Sequence, residues 1–217
     1  LGCANYGFVR TGKITNNGNG GNGMQTAGIC GFMAKDEGNL IQFCVNYGHI
    51  SCPTGRTGGL VATLMNGNVK NSDNRGTVED DIVGKFEGAA AQNSYNSKRM
   101  GGLIGGTDDL KKVLTATVES CTNYGNVFTH IGCRTGGFIG HSNIRIIGCA
   151  NQGAILGDVY NSDHGPAWAC GYSGQSSGEW VNVSSCTMGG YVGSYTTYKD
   201  NPTSAPAATV HNAFSYK

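Results

Sequence analysis

The feature that most constrains this chain is a seven-residue phrase that returns along its length. Cys121-Thr-Asn123-Tyr124-Gly125-Asn-Val127 and Cys149-Ala-Asn151-Gln152-Gly153-Ala-Ile155 both read C-x-N-x-G-x-[V/I], set 28 residues apart. Two further copies are Cys3-Ala-Asn5-Tyr6-Gly7-Phe-Val9 and Cys44-Val-Asn46-Tyr47-Gly48-His-Ile50. The phrase returns at Ser72-Asp-Asn74-Arg75-Gly76-Thr-Val78 with serine in the first slot, and in weaker form, without the asparagine, at Cys186-Thr-Met-Gly189-Gly-Tyr-Val192. Successive copies start 41, 28, 49, 28 and 37 residues apart. A period near 28 with insertions marks a stacked-repeat architecture, in which each unit buries its apolar face only against its neighbours.

A second phrase alternates with the first. It reads Thr26-Ala-Gly28-Ile-Cys30-Gly31, Thr57-Gly-Gly59-Leu-Val61-Ala62, Met100-Gly-Gly102-Leu-Ile-Gly105 and Thr135-Gly-Gly137-Phe-Ile-Gly140, with a worn copy at Ala167-Trp-Ala169-Cys170-Gly171. Within the first phrase the expected burial alternates: Cys44 in, Val45 out, Asn46 in. That is the period of a strand. The glycine-rich phrase is too short for a helix, and each interior glycine would cost one about 1 kcal/mol relative to alanine. Thr107 to Ser120 comes nearest to a helix, but its end, Val113-Leu-Thr-Ala-Thr-Val118, is strand-like. Strands and turns repeating at this period predict an all-β parallel β-helix, a β-solenoid. Identical slots then align as internal ladders: Cys3, Cys44, Cys121, Cys149 and Cys186 in one, Asn5, Asn46, Asn74, Asn123 and Asn151 in another. The glycine after Asn-x suits a corner that needs either φ > 0 or close backbone approach, and the asparagine can satisfy buried backbone groups there.

The alternation of C-x-N-x-G-x-[V/I] with G-G-[L/F]-[I/V]-G resembles the GLUG-type repeats of secreted bacterial surface proteins. Such repeats occur in large adhesin-like proteins and beside the catalytic part of some immunoglobulin A peptidases. The resemblance covers roughly residues 1–193. It implies a right-handed parallel β-helix at the cell surface and brings no catalytic residues with it. The repeat domain is expected over residues 1–193, with residues 194–217 as a strand-rich C-terminal cap that shields bare strand edges. Because the chain opens inside a repeat phrase, it reads as a piece of a longer protein.

Composition agrees with a repeat of many turns. Only 13% of the 217 residues are charged and 37 are glycine, yet 38% are hydrophobic. This is too apolar for a disordered chain of low charge. A net charge of +1 leaves no electrostatic footprint for nucleic acid or an anionic membrane. No apolar run approaches the length of a bilayer span. Of nine cysteines, five share the inward slot. Stacked strands lie about 4.8 Å apart, whereas a disulfide brings Cβ atoms to about 3.8 Å. Buried thiols are therefore expected in the slot, while Cys52 and Cys133, outside it, stay open to disulfide pairing. A hydroxyl in the slot, as in Cys149→Ser, should cost roughly 1–3 kcal/mol unless it finds a partner. Ser72 shows that one copy accepts it.

Along the chain, Asn16 to Gly23 reads as an exposed insertion with no P-loop context. Residues 63–99 read as the least regular stretch, and 156–182 as an aromatic and polar insertion. Candidates for chemistry are few. Glu79-Asp80-Asp81 and Asp108-Asp109 are the acidic clusters, and paired carboxylates would serve glycoside hydrolysis; in polar loops they are ordinarily solvated. His49-x-x-Cys52 and His130-x-x-Cys133 have zinc-like spacing, but their offsets from the repeat differ, so they need not align. Asp163, His164 and Ser173 lack the spacing of a nucleophile elbow. Tyr6, Tyr47 and Tyr124, by contrast, share one slot that points outward, filled by Arg75 and Gln152 in the other copies. Such a row suits stacking on sugar faces, or else the rings pack on one another between repeats.

These observations point to a non-enzymatic extracellular or cell-surface repeat module, adhesin-like, with Tyr6, Tyr47 and Tyr124 as ligand-binding residues. No cofactor or metal is expected. The expected partners are glycans or host surface proteins and further domains of the same longer chain, not nucleic acid. The alternatives are a polysaccharide-active lyase or glycoside hydrolase on the same scaffold, and a filament subunit.

Overall fold

The computed structural model describes residues 1–11, 24–34, 38–52, 55–80, 99–107, 116–129, 134–142, 144–157, 168–170, 182–184 and 187–188. The expected cap over 194–217 lies outside the described residues. Within them the fold is all-β, with short parallel strands in stacked sheets and no helix.

The strands follow the phrases. A first pass of the chain carries β1 (Ala4–Asn5), β2 (Val9–Arg10), β3 (Gln25–Ala27), β4 (Cys30–Met33) and β5 (Leu40–Gln42). A second carries β6 (Val45–Asn46), β7 (Ile50–Ser51), β8 (Arg56–Gly58), β9 (Val61–Leu64) and β10 (Asn68–Lys70). A third carries β11 (Asp73–Asn74), β12 (Val78–Glu79), β13 (Arg99–Gly101), β14 (Ile104–Gly106) and β15 (Thr117–Glu119). The fourth has β16 (Thr122–Asn123), β17 (Val127–Thr129), β18 (Arg134–Gly136) and β19 (Arg145–Ile147). Next come β20 (Ala150–Asn151), β21 (Ile155–Gly157), β22 (Trp168–Cys170) and β23 (Asn182–Ser184), then β24 (Thr187–Met188).

Each sheet takes one strand from each successive pass. The first phrase builds two sheets, β1-β6-β11-β16-β20-β24 and β2-β7-β12-β17-β21. The second phrase builds β3-β8-β13-β18-β22 and the three-stranded β4-β9-β14, which the Ile104–Ile139 bridge extends by one residue. A fifth sheet, β5-β10-β15-β19-β23, closes the pass. The worn second phrase keeps its register, with Ala169 beside Thr135 and Cys170 beside Gly136. The weak last copy does so too, placing Met188 beside Asn151.

Apolar columns form the core because registers are conserved from pass to pass. Ile41, Val69, Val118 and Ile146 pair in one column, and Ile50, Val78, Val127 and Ile155 in another. All eight are buried, and burying an aliphatic side chain of this size contributes about 1.5–3 kcal/mol. Leu60, Leu103 and Phe138, from the residue after the double glycine, are fully buried beside them. One expectation is corrected here. Residues 63–80 are not irregular: they complete β9 and form β10 to β12. Lys70, Asp73 and Glu79 sit on outward positions of two- and three-residue strands; residues 81–98 lie outside the described residues.

Candidate functional site

The asparagine slot explains why the passes stack in this register. Asn5 Nδ2 donates to Asn46 Oδ1, Asn46 Nδ2 to Asn74 Oδ1, Asn74 Nδ2 to Asn123 Oδ1 and Asn123 Nδ2 to Asn151 Oδ1, at 2.7–2.8 Å. The partners are 41, 28, 49 and 28 residues apart in sequence. Each amide also bridges its own corner. The Gly76 N–H donates to Asn74 Oδ1 at 3.3 Å, and Asn74 Nδ2 donates to the Gly76 carbonyl at 2.8 Å. Buried amides satisfied on both sides polarise one another in a low-dielectric interior.

The glycine two residues on is required by close approach rather than by a left-handed backbone. A Cβ on Gly48, Gly76, Gly125 or Gly153 would overlap the carbonyl oxygen of the same glycine one pass earlier. The double glycine has a related task. A Cβ on Gly28, Gly59 or Gly102 would strike the side chain of Asn46, Asn74 or Asn123. The two phrases therefore interlock: the asparagine of one rung lies over the glycine of the rung before.

The left-handed conformation occurs elsewhere. Phe43, Asn71, Ser120 and Gly148, each immediately before a Cys or Ser slot, have φ of 57, 46, 54 and 57°, and Gly2 has 71°. Nothing in the residue types announces this turn, since Phe and Ser fill it as well as Gly and Asn.

Cys44, Ser72, Cys121 and Cys149 face inward as expected, all buried. Cys3, expected in the same ladder, is exposed, because the described structure has no rung on its outer side. Cys186 lies outside the described residues. Cys3, Cys30, Cys44, Cys52, Cys121 and Cys149 all carry thiols rather than disulfides; Cys133 lies outside the described residues. The thiols have a shared acceptor two residues back: Cys44 Sγ donates to Gln42 O at 3.4 Å, Cys121 Sγ to Glu119 O at 3.2 Å and Cys149 Sγ to Ile147 O at 3.3 Å. Ser72 Oγ uses the equivalent Lys70 carbonyl at 2.7 Å. The slot thus supplies the partner that a hydroxyl needs, which removes most of the cost expected for serine there.

The outward slot forms a continuous row. The Tyr6 and Tyr47 rings stack with centroids 4.9 Å apart and planes 2° from parallel, which is the spacing of neighbouring strands. The Arg75 guanidinium continues the stack, 6.0 Å from the Tyr47 centroid and 4.7 Å from that of Tyr124. Gln152 follows, exposed. Flat faces that sequence alone leaves open to sugars are turned toward one another. Tyr47 thus has a neighbour on each face, Tyr6 and Arg75, and Tyr124 has Arg75 on one, while both stay exposed. Beside this row Phe8 lies against His49 at 5.0 Å, and His49 Nε2 lies 3.0 Å from the Glu79 carboxylate.

The remaining candidates are dispersed. Glu79 is partly exposed and its neighbour Asp80 is fully buried, so strand alternation sends the two carboxylates to opposite faces and they cannot act as a pair. His49 lies at the surface while Cys52 is buried, so their spacing does not make a metal corner. Among the described residues no group of three or more His, Cys, Asp or Glu is placed to hold a metal ion. Asp81, Asp108, Asp109, His130, Asp163, His164 and Ser173 lie outside the described residues.

One further recurrent slot, just ahead of the second phrase, holds arginine. Arg56, Arg99 and Arg134 pair in register, each opening R-[T/M]-G-G. Arg56 and Arg99 are buried; Arg56 Nη1 donates to Thr63 Oγ1 at 3.3 Å and Arg99 Nη1 to the Thr107 carbonyl at 2.5 Å. A buried guanidinium requires such bonds to offset its desolvation. In the sequence this slot is marked only by the arginine that opens each R-[T/M]-G-G.

No family model, no curated protein and no solved structure matches this chain.

Proposed function

We propose that this chain is a non-enzymatic, extracellular repeat module of a bacterial surface protein, adhesin-like and built as a right-handed parallel β-helix. The parallel stacking of successive passes supports the β-helix, and the resemblance of its phrases to GLUG-type repeats supports the handedness and the surface location. One observation carries the functional reading. The recurrent inward residues are consumed by stacking, through the asparagine ladder and the glycine contacts, while the Tyr6–Tyr47–Arg75–Tyr124 row is the recurrent chemistry left at the surface.

A glycan lying along this row meets phenol hydroxyls and ring edges at the strand spacing, so polar contacts outnumber face-on stacking and affinity per repeat is low. Glycan-array binding of the parent and of a Tyr6→Ser, Tyr47→Ser, Tyr124→Ser variant tests this beside a polysaccharide degradation assay. Weak binding by the parent, lost in the variant, and no degradation are expected. Binding that survives the triple substitution, or degradation that Asp80→Asn abolishes, would overturn the reading in favour of the polysaccharide-active alternative.

A further inference from the structure

We infer that the face formed by the first rung is a docking surface for one more rung of the same chemistry: a parallel segment reading Asn-x-Gly, with a planar side chain at x. The inference rests on rung geometry and is independent of the glycan reading. Its strongest support is Gly7. At Gly48, Gly76, Gly125 and Gly153 a Cβ would collide with the carbonyl of the preceding rung, whereas at Gly7 it would meet only Asn5 Oδ1, at an ordinary 3.5 Å. Gly7 thus already has the residue type that a further rung would require, though no described residue crowds it.

Three other groups on the same face agree. Asn46, Asn74 and Asn123 each accept through Oδ1 both from a corner glycine N–H and from the amide of the rung before. Asn5 Oδ1 accepts from Gly7 N at 3.0 Å, and its outer side holds the place of an incoming amide. Tyr47, Arg75 and Tyr124 donate their N–H to Asn5, Asn46 and Asn74 carbonyls at 2.7–2.8 Å, and the Tyr6 N–H stands at the equivalent outward place. Finally, Tyr6 stacks on Tyr47 and Phe8 packs at a tilt against His49, each from one side, and the two are 76% and 59% exposed. Two aromatic rings and an edge of strand are thus presented together.

The ladder also selects the occupant. Among the described residues the last strand of this sheet has Met188 in register with the asparagine slot, a residue with no amide to give Asn5. Head-to-tail stacking of that strand on the first rung therefore does not continue the ladder. A segment repeating this chain's own phrase supplies the amide, the glycine carbonyl and the planar side chain at once, by strand addition.

The test grafts such a segment in front of the full chain. A copy of residues 44–69 placed directly ahead of Leu1 puts Leu1-Gly2 where Lys70-Asn71 stand and restores the 28-residue interval. In the parent, Gly7→Ala should leave the melting temperature unchanged or slightly raised. In the extended chain it should lower it by roughly 4–10 °C, because the new Cβ then meets a carbonyl. Alkylation mapped to Cys3, exposed in the parent, should slow by roughly tenfold or more in the extended chain as that slot is covered. An equal response to Gly7→Ala in both chains, or an unchanged rate at Cys3, would overturn the inference. So would self-association of the parent that Tyr6→Ser abolishes, since this assigns the face to a second copy.

Discussion

At the scale of single residues, two buried polar slots differ in what they tolerate. Asn74 donates to the Gly76 carbonyl and to Asn123 Oδ1, and accepts from the Gly76 N–H and from Asn46 Nδ2. An alanine there removes four hydrogen bonds at a fully buried position and leaves the Gly76 N–H with only the Asn46 carbonyl at 3.1 Å. Asn74→Ala should cost roughly 2–4 kcal/mol. The cysteine slot is permissive by comparison. Cys149→Ser retains a donor aimed at the Ile147 carbonyl, as Ser72 does at Lys70, and should cost less than about 1 kcal/mol. Denaturant midpoints of the two variants check both values. A Cys149→Ser loss as large as that of Asn74→Ala would mean that the serine hydroxyl does not reach its carbonyl.

Elements here are only two to four residues long, so their turns matter as much as their strands. Two turn positions respond to glycine in opposite ways. Gly76 lies against the Gly48 carbonyl, and Gly76→Ala must push two strands apart, at roughly 1–3 kcal/mol. Ser120 sits at φ 54° just before the Cys121 slot, a conformation that costs an L-residue about 1–2 kcal/mol. Ser120→Gly relieves that strain while loosening the unfolded chain, so a gain of up to about 1 kcal/mol is expected. Thermal melts of the pair provide the check. Destabilisation by Ser120→Gly would show that the turn is held by the serine side chain rather than merely accommodated.

For the molecule as a whole, stacking makes stability a matter of neighbours. Among the described residues each interior rung is held on two sides and the first rung on one. Backbone amides should therefore exchange with solvent in a graded order. Arg75 and Tyr124 N–H, bonded to the Asn46 and Asn74 carbonyls at 2.7 Å, should be the slowest of their slot. Tyr47 should be faster, and Tyr6, on the first rung, fastest. Residue-resolved hydrogen exchange measures this order directly. Protection of Tyr6 equal to that of Arg75 would show that the chain already covers its own first face.

The sequence by itself determined the strand character, the alternation that buries Cys44 and Asn46 around Val45, the pairing partners along both phrases and the outward direction of Tyr6, Tyr47 and Tyr124. Those follow from period and side-chain type, because a slot repeated at constant spacing aligns with itself whenever parallel strands keep register. Tertiary structure decided what neighbouring rungs do to one another. It assigned the Asn-x-Gly glycine to close approach, moved the left-handed turn to Phe43, Asn71 and Ser120, turned the tyrosine faces onto each other through Arg75, and buried Arg56 and Arg99. The glycine contacts and the tyrosine–arginine stack depend on atoms of another pass, a few ångströms away in space and 28 to 49 residues away in the chain. The Arg56 and Arg99 partners, by contrast, lie within the same pass, and the separation of Glu79 from Asp80 follows from strand alternation alone.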